Sequence, residues 1–200
     1  MQTKRFGLSS RRRWAWSLAL IAVVFASTSC VRETGGDGEG GTPTVPPAAD
    51  CTVRAPGVDL HGCDLSDENL SDIDLTNANL TSADLSGAQL VGTKLDGARL
   101  TGANLYQADL SGASAPSARF DNANLEYANL SSATLTGANL RGATLYRAVA
   151  LGTQFGGADF SNADLTQAEV DDADFTGATL ANTTCPGGTV VSSPAVCPVA

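Results

Sequence analysis

From residue 60 to residue 180 an apolar residue stands at every fifth position, twenty-five times in succession, with no insertion or deletion. The series runs through Leu60, Leu65, Leu70 and onward as leucine to Leu110, passes Ala115 and Phe120, and ends Leu165, Val170, Phe175 and Leu180. Two residues before each centre is a small residue, usually alanine: Ala78, Ala83, Ala88, then Ala98 through Ala148 without a gap. The residue between them is usually Asp or Asn, as in Ala83-Asp84-Leu85 and Ala103-Asn104-Leu105. A period of five matches neither the 3.6 of a helix nor the 2 of a plain strand. It demands a chain that turns a corner every five residues. Aromatics make up only 6% of the residues, which is lean for a conventional core, so a stacked repeat is the economical reading.

This unbroken A(D/N)LXX tandem over residues 58–182 resembles the pentapeptide-repeat family. The resemblance implies an all-β fold, a right-handed quadrilateral β-helix with four pentapeptides per coil. In such a solenoid the centre and the small residue two before it face inward, and the other three face solvent. One large and one small side chain per side fill a narrow square tube without voids. Glycine or a small polar residue recurs two after the centre (Gly87, Gly92, Gly97, Gly102), where tight corners tolerate little bulk. Twenty-five repeats give about six coils and, at about 4.8 Å per coil, a rod roughly 30 Å long. Ala115 and Ala150 underfill their sites, and each is followed one repeat later by Phe120 or Phe155, whose rings are expected to occupy the spare volume. Pro116 is a candidate kink. Glu68 takes an inward slot, expected to lie where the first coil is still open.

A stacked solenoid exposes its core at both ends and needs caps, here residues 51–57 and 183–200. Cys51 and Cys63 lie twelve apart at one end, and Cys185 and Cys197 twelve apart at the other. Cys63 falls in an inward slot and Cys185 on the next central position after Leu180. The expectation is a Cys51–Cys63 and a Cys185–Cys197 disulfide, each contributing roughly 3 kcal/mol. A metal site is the rival reading, but the four thiols stand at opposite ends of a rod and lack CxxC spacing.

Residues 1–29 read as an export signal. Residues 1–13 are basic, and residues 14–29 (WAWSLALIAVVFASTS) carry no charge. That uncharged stretch is short against the about 20 residues of a membrane span. Ser27-Thr28-Ser29-Cys30 resembles a bacterial lipobox, which implies lipidation of Cys30, although Ser27 stands where that pattern prefers a large aliphatic residue. Ser10-Arg11-Arg12-Arg13-Trp14 is also similar to a twin-arginine export motif. Ordinary signal-peptidase cleavage and an uncleaved anchor stay open. Five cysteines leave one over, and a lipid on Cys30 leaves four to pair. Residues 30–50 then form the lipidated cysteine and a Gly/Pro/Thr-rich linker. The expected location is extracytoplasmic, anchored at the bacterial cell envelope, with a secreted form as the alternative.

Composition excludes several functions. Residues 1–30 hold five basic residues and no acids, leaving seven basic residues against 21 acidic ones, a net of −14 beyond the signal. Such a rod lacks the cations that neutralise phosphates, so nucleic acid is not an expected partner. His61 is the only histidine, and no catalytic set, cofactor site or metal site emerges. The acidic group Glu169, Asp171, Asp172 and Asp174 reads as a solvated edge, with a weak calcium site as the rival. Assigning faces at a 20-residue interval puts Tyr106, Tyr127 and Tyr146 on one face with Glu126 and Arg147 beside them. Arg99, Arg119 and Arg141 form a basic column on the preceding face. Tyrosine and arginine are enriched in binding hot spots. The expected function is a non-catalytic rigid binding or structural module whose partners are the membrane, through its lipid, and an unidentified envelope protein or ligand. The family resemblance also implies an alternative, since some acidic members mimic duplex DNA and bind DNA gyrase. The export signal argues against that.

Overall fold

The computed structural model describes residues 49–191 and Cys197. The signal, Cys30 and all but the last two residues of the linker lie outside the described residues, as does most of the segment after Val191.

Every coil takes twenty residues. Parallel bridges join the residue before each centre to its counterpart twenty positions on, in four ladders. They begin Asp59↔Asn79, Asp64↔Asp84, Asn69↔Gln89 and Asp74↔Lys94, and the last ends at Asp164↔Thr184. Five amides per repeat can be traced to five destinations. The central amide reaches forward one coil (Leu65 N to Asp84 O, 2.7 Å). The amide two after the centre does the same (Asp67 N to Ser86 O, 2.8 Å), and the residue before the centre reaches back (Asp84 N to Cys63 O, 2.8 Å). The small residue's amide closes the corner onto the preceding centre (Ala83 N to Leu80 O, 3.1 Å). The fifth amide, one after the centre, is taken by the Asp or Asn side chain two residues earlier, as in Ser66 N to Asp64 Oδ1 at 3.1 Å. All fourteen Asp or Asn residues in that place from Asp59 to Asp174 make this bond, so the repeat's Asp/Asn preference is an answer to backbone accounting.

The same accounting removes the expected kink at Pro116. Proline occupies the fifth-amide position, its carbonyl accepts Gly97 N at 3.0 Å, and the Lys94↔Ser114↔Thr134 ladder continues past it. No coil-to-coil donor is lost there.

The interior is a column of leucine and alanine, closed to solvent from Leu75 to Leu165. Ala115 and Ala150 are buried, and so are Phe120 and Phe155. Phe155 also belongs to a cluster: its ring centre lies 5.0 Å from that of Phe160 and 5.1 Å from that of Phe175. Three inward slots hold threonine, and each hydroxyl donates to a carbonyl 23 residues earlier: Thr93 to Leu70, Thr153 to Leu130 and Thr183 to Phe160, at 2.7, 2.7 and 2.8 Å. Glu68, also in an inward slot, is exposed.

Both expected disulfides are present, with Cα–Cα distances of 5.6 Å for Cys51–Cys63 and 5.4 Å for Cys185–Cys197. At the N-terminal end the Arg54 guanidinium donates to the Cys51 carbonyl. At the other end β1 (Thr183–Thr184) pairs antiparallel with β2 (Val190–Val191), a hairpin the repeat pattern did not announce. Thr183 and Cys185 are buried, so repeat geometry runs on to Cys185.

Candidate functional site

At every corner the residue two after the centre has a left-handed backbone, with φ between 54° and 72° from Gly62 to Asn182. An L-residue pays about 1–2 kcal/mol to sit there, while Gly, Asn and Asp tolerate it best. Eleven of these twenty-five residues are glycine, and ten are Asp, Asn or Ser. The four exceptions are Gln107, Tyr127, Arg147 and Gln167. They are spaced by twenty residues, so all four occupy one corner on consecutive coils. Long side chains in this conformation are unfavourable for folding, and among these twenty-five positions they are confined to this one corner.

That corner is the tyrosine strip. Tyr106 and Tyr127 pack edge to face with ring centres 5.7 Å apart, and Tyr127 and Tyr146 do so at 5.8 Å. The Arg147 guanidinium carbon lies 5.9 Å from the Tyr127 centroid and 5.4 Å from that of Tyr146. Its Nε donates to Gln167 Oε1 at 2.6 Å, and the Tyr146 hydroxyl donates to the same oxygen at 3.2 Å. The arginine is thereby fixed against the rings. Tyr106 and Tyr127 remain 36% and 39% exposed although they pack on one another. Arg147 and Gln167 are exposed beside them, and Glu126 is half-buried. Gln107 and Gln167 escaped the sequence reading. Their signal was present as glutamine at a corner register that elsewhere takes glycine or a short polar residue.

The expected arginine column divides. Arg99 and Arg119 are bridged neighbours, whereas Arg141 stands just past the next rung, Asn139. Arg119 pairs with Asp121 at 3.3 Å and Arg141 with Asp159 at 3.2 Å, so two of the three cations are engaged with acids. Only Arg147 joins the tyrosines. His61 Nδ1 lies 3.0 Å from Asp59 Oδ1 at the first coil, and both side chains are exposed. Among the described residues no three of His, Cys, Asp and Glu gather closely enough to hold a metal ion. Asp174 of the acidic group is held below the usual carboxylate range by hydrogen bonds from the Thr176 side chain and backbone.

The sequence model of the family described as Pentapeptide repeats matches residues 57–90, 83–122, 117–149 and 152–182. The chain is a pentapeptide-repeat protein. No curated protein sequence matches it. Solved pentapeptide-repeat proteins do. One is HetL of the cyanobacterium Nostoc sp. strain PCC 7120, described as involved in heterocyst differentiation regulation: 31% identity, 66% of this chain and 76% of that one, TM-score 0.40. Another comes from the Arabidopsis thaliana thylakoid lumen: 32% identity, 58% of this chain and 70% of that one, TM-score 0.32. A third is QnrB1, described as a plasmid-mediated fluoroquinolone resistance protein: 24% identity, 62% and 77% coverage, TM-score 0.28.

Proposed function

We propose that this pentapeptide-repeat protein is a non-catalytic rigid docking module, exported and tethered at the cell envelope through a lipid on Cys30. The strained corner carries the reading. Four long side chains hold a costly backbone conformation on consecutive coils, and they do so where three tyrosines and an arginine form an outward strip. A buried Leu/Ala interior and a single exposed histidine give catalysis little to work with. Two disulfides suit an oxidising compartment.

Two measurements test the parts separately. Full-length chain is expressed with a palmitate analogue and the cells are fractionated, with Cys30→Ser as control. Label in membranes that vanishes in the variant supports the tether; unlabelled protein in the cytoplasm defeats it. Independently, a photo-crosslinking residue is placed at position 127, or at exposed Val91 on another corner, in intact cells. An adduct of any chemistry that forms at 127 and not at 91 supports the docking face; equal yields at both positions defeat it.

A further inference from the structure

Taking the tyrosine strip as the docking face, charge and ring geometry name its partner. The rod is electrostatically two-sided. Residues 63–72 and their counterparts at each twentieth position, ending at 163–172, build the two sides whose ladders begin at Asp64 and Asn69. They hold eleven acidic residues against one basic residue, Arg147. The other two sides, over residues 58–182, hold six acidic and four basic residues. The strip stands on the corner that the two acidic sides share. Four of the eleven acids fall in residues 63–72 and four in residues 163–172, so the strip runs between two acidic ends. Such a field repels a polyanion and draws in a polycation.

The rings say where a cation sits. Tyr106 and Tyr127 cross at 72° and Tyr127 and Tyr146 at 84°, so each pair forms two steep walls and not a flat platform. In the second angle the chain places a cation of its own, the Arg147 guanidinium, against both rings. The first angle is its counterpart across Tyr127. There the residue beside Tyr106, in the place Arg147 takes beside Tyr146, is the uncharged Gln107. Glu126 adjoins Tyr127 and lies one coil from Tyr106 on one side and from Tyr146 on the other. It is half-buried, and among the described residues no cation pairs with it, Arg147 being held by Gln167. A half-buried carboxylate without a counter-ion, beside two exposed rings, gains from a cation placed on it. Arginine suits the place better than lysine, since a guanidinium stacks on a ring while its N–H fork meets a carboxylate.

The acidic ends are five coil steps apart, about 24 Å, which an extended peptide spans in about seven residues. Gln107 N, Tyr127 N and Arg147 N already donate to the next coil, so such a peptide is read through its side chains and not by adding a strand.

We infer that the strip binds an extended, arginine-bearing basic peptide segment of a partner protein, laid along the rod axis. One arginine seats against Tyr106 and Tyr127 on the Glu126 carboxylate, and the peptide's other cations reach the acidic ends.

The test uses the purified full-length chain in detergent, with both disulfides formed. Binding is read by fluorescence anisotropy of three labelled nonapeptides, in which glycine alternates with arginine, lysine or glutamate, and spermine is the competitor. Glu126→Gln removes the charge and keeps the shape; Tyr106→Ser removes a ring; Val91→Ser alters a different corner. None of these three positions has a left-handed backbone, so the corners are left as they are. The expected result is saturable binding of the arginine peptide, weakened roughly tenfold in Glu126→Gln and in Tyr106→Ser and unchanged in Val91→Ser. The lysine peptide binds more weakly, the glutamate peptide does not bind, and added salt weakens all binding. Arginine-peptide binding that both substitutions leave intact overturns the seat, the peptide then being held by the acids at large. Spermine binding as tightly as the arginine peptide overturns the peptide in favour of a polyamine. No peptide binding while the position-127 adduct forms overturns the basic partner and leaves the docking face standing. Absence of both peptide binding and adduct overturns both readings.

Discussion

Arg147 lies one coil beyond Tyr127 in the same left-handed corner position, φ 56° against 59°, and its guanidinium carbon sits 5.9 Å from the tyrosine ring centre. Each residue bears a backbone cost of about 1 kcal/mol or more, partly offset by a cation–π contact worth about 0.5–1 kcal/mol at an exposed site. Tyr127→Asn therefore removes strain and contacts of similar size. Its melting temperature is expected to stay within a few degrees of the parent, about what 1 kcal/mol moves in a domain of this size. A loss far larger than that would make the strip part of the stabilising structure and not a surface placed on it.

Glycine at the other corners makes the comparison quantitative. A methyl added at Gly152 meets nothing within 4 Å, so Gly152→Ala costs only the left-handed penalty, about 1 kcal/mol. A methyl at Gly87 runs into the Asp67 carboxylate, so Gly87→Ala must also displace that side chain and is expected to be the more destabilising. Equal melting temperatures would mean that the Asp67 carboxylate swings aside at no cost.

Much of this was written in the sequence, because a repeat prints its constraints twenty-five times. The inward Leu and Ala positions follow from the period of five, and the two disulfides from Cys63 and Cys185 falling in interior slots. The role of Asp64 or Asn79 in capturing the fifth amide did not show, because periodicity reveals where a residue recurs and not which hydrogen bond it completes. The hairpin at Thr183–Val191 did not show either, since β2 lies beyond the repeat and has no period to read. The tyrosines could be placed on one face by counting twenty, but the strain beneath Tyr127 and Arg147 needed the backbone angles. Gln107 looked ordinary without them.

Acid is expected to destabilise the rod only below about pH 4. Asp64, Asp74 and Asp84 are pulled below their ordinary value of 3.8 by hydrogen bonds from the side chains of Ser66, Thr76 and Ser86, with those residues' backbone amides adding to the effect. At Asp159 burial acts upward, and the Ser161 and Arg141 bonds outweigh it. Carboxylates depressed in the folded state stabilise it above their unfolded pKa, and that stability is lost as pH falls through the folded value. Melting temperature should hold level from neutral pH to about 5, then fall below about 4. A rise on acidification would mean that relief of repulsion between the rod's many acids outweighs these turns.

Thr153 tests whether the inward hydroxyls stabilise the fold or are merely accommodated. Its hydroxyl donates to Leu130 O at 2.7 Å in the buried interior. That carbonyl also accepts the Ala133 amide at 2.9 Å, so removing the hydroxyl does not orphan it. Thr153→Val keeps the shape and loses one hydrogen bond, a cost of about 1 kcal/mol at most. Thr153→Ala loses the bond and also a methyl's worth of packing, so it is expected to cost about 1 kcal/mol more than valine. The ordering Ala below Val below Thr in melting temperature is the expected outcome. If valine instead matches or exceeds threonine, the hydroxyl only satisfies itself in a slot that an apolar group would fill as well. The same should then hold at Thr93, where the bond to Leu70 O repeats the geometry three coils earlier.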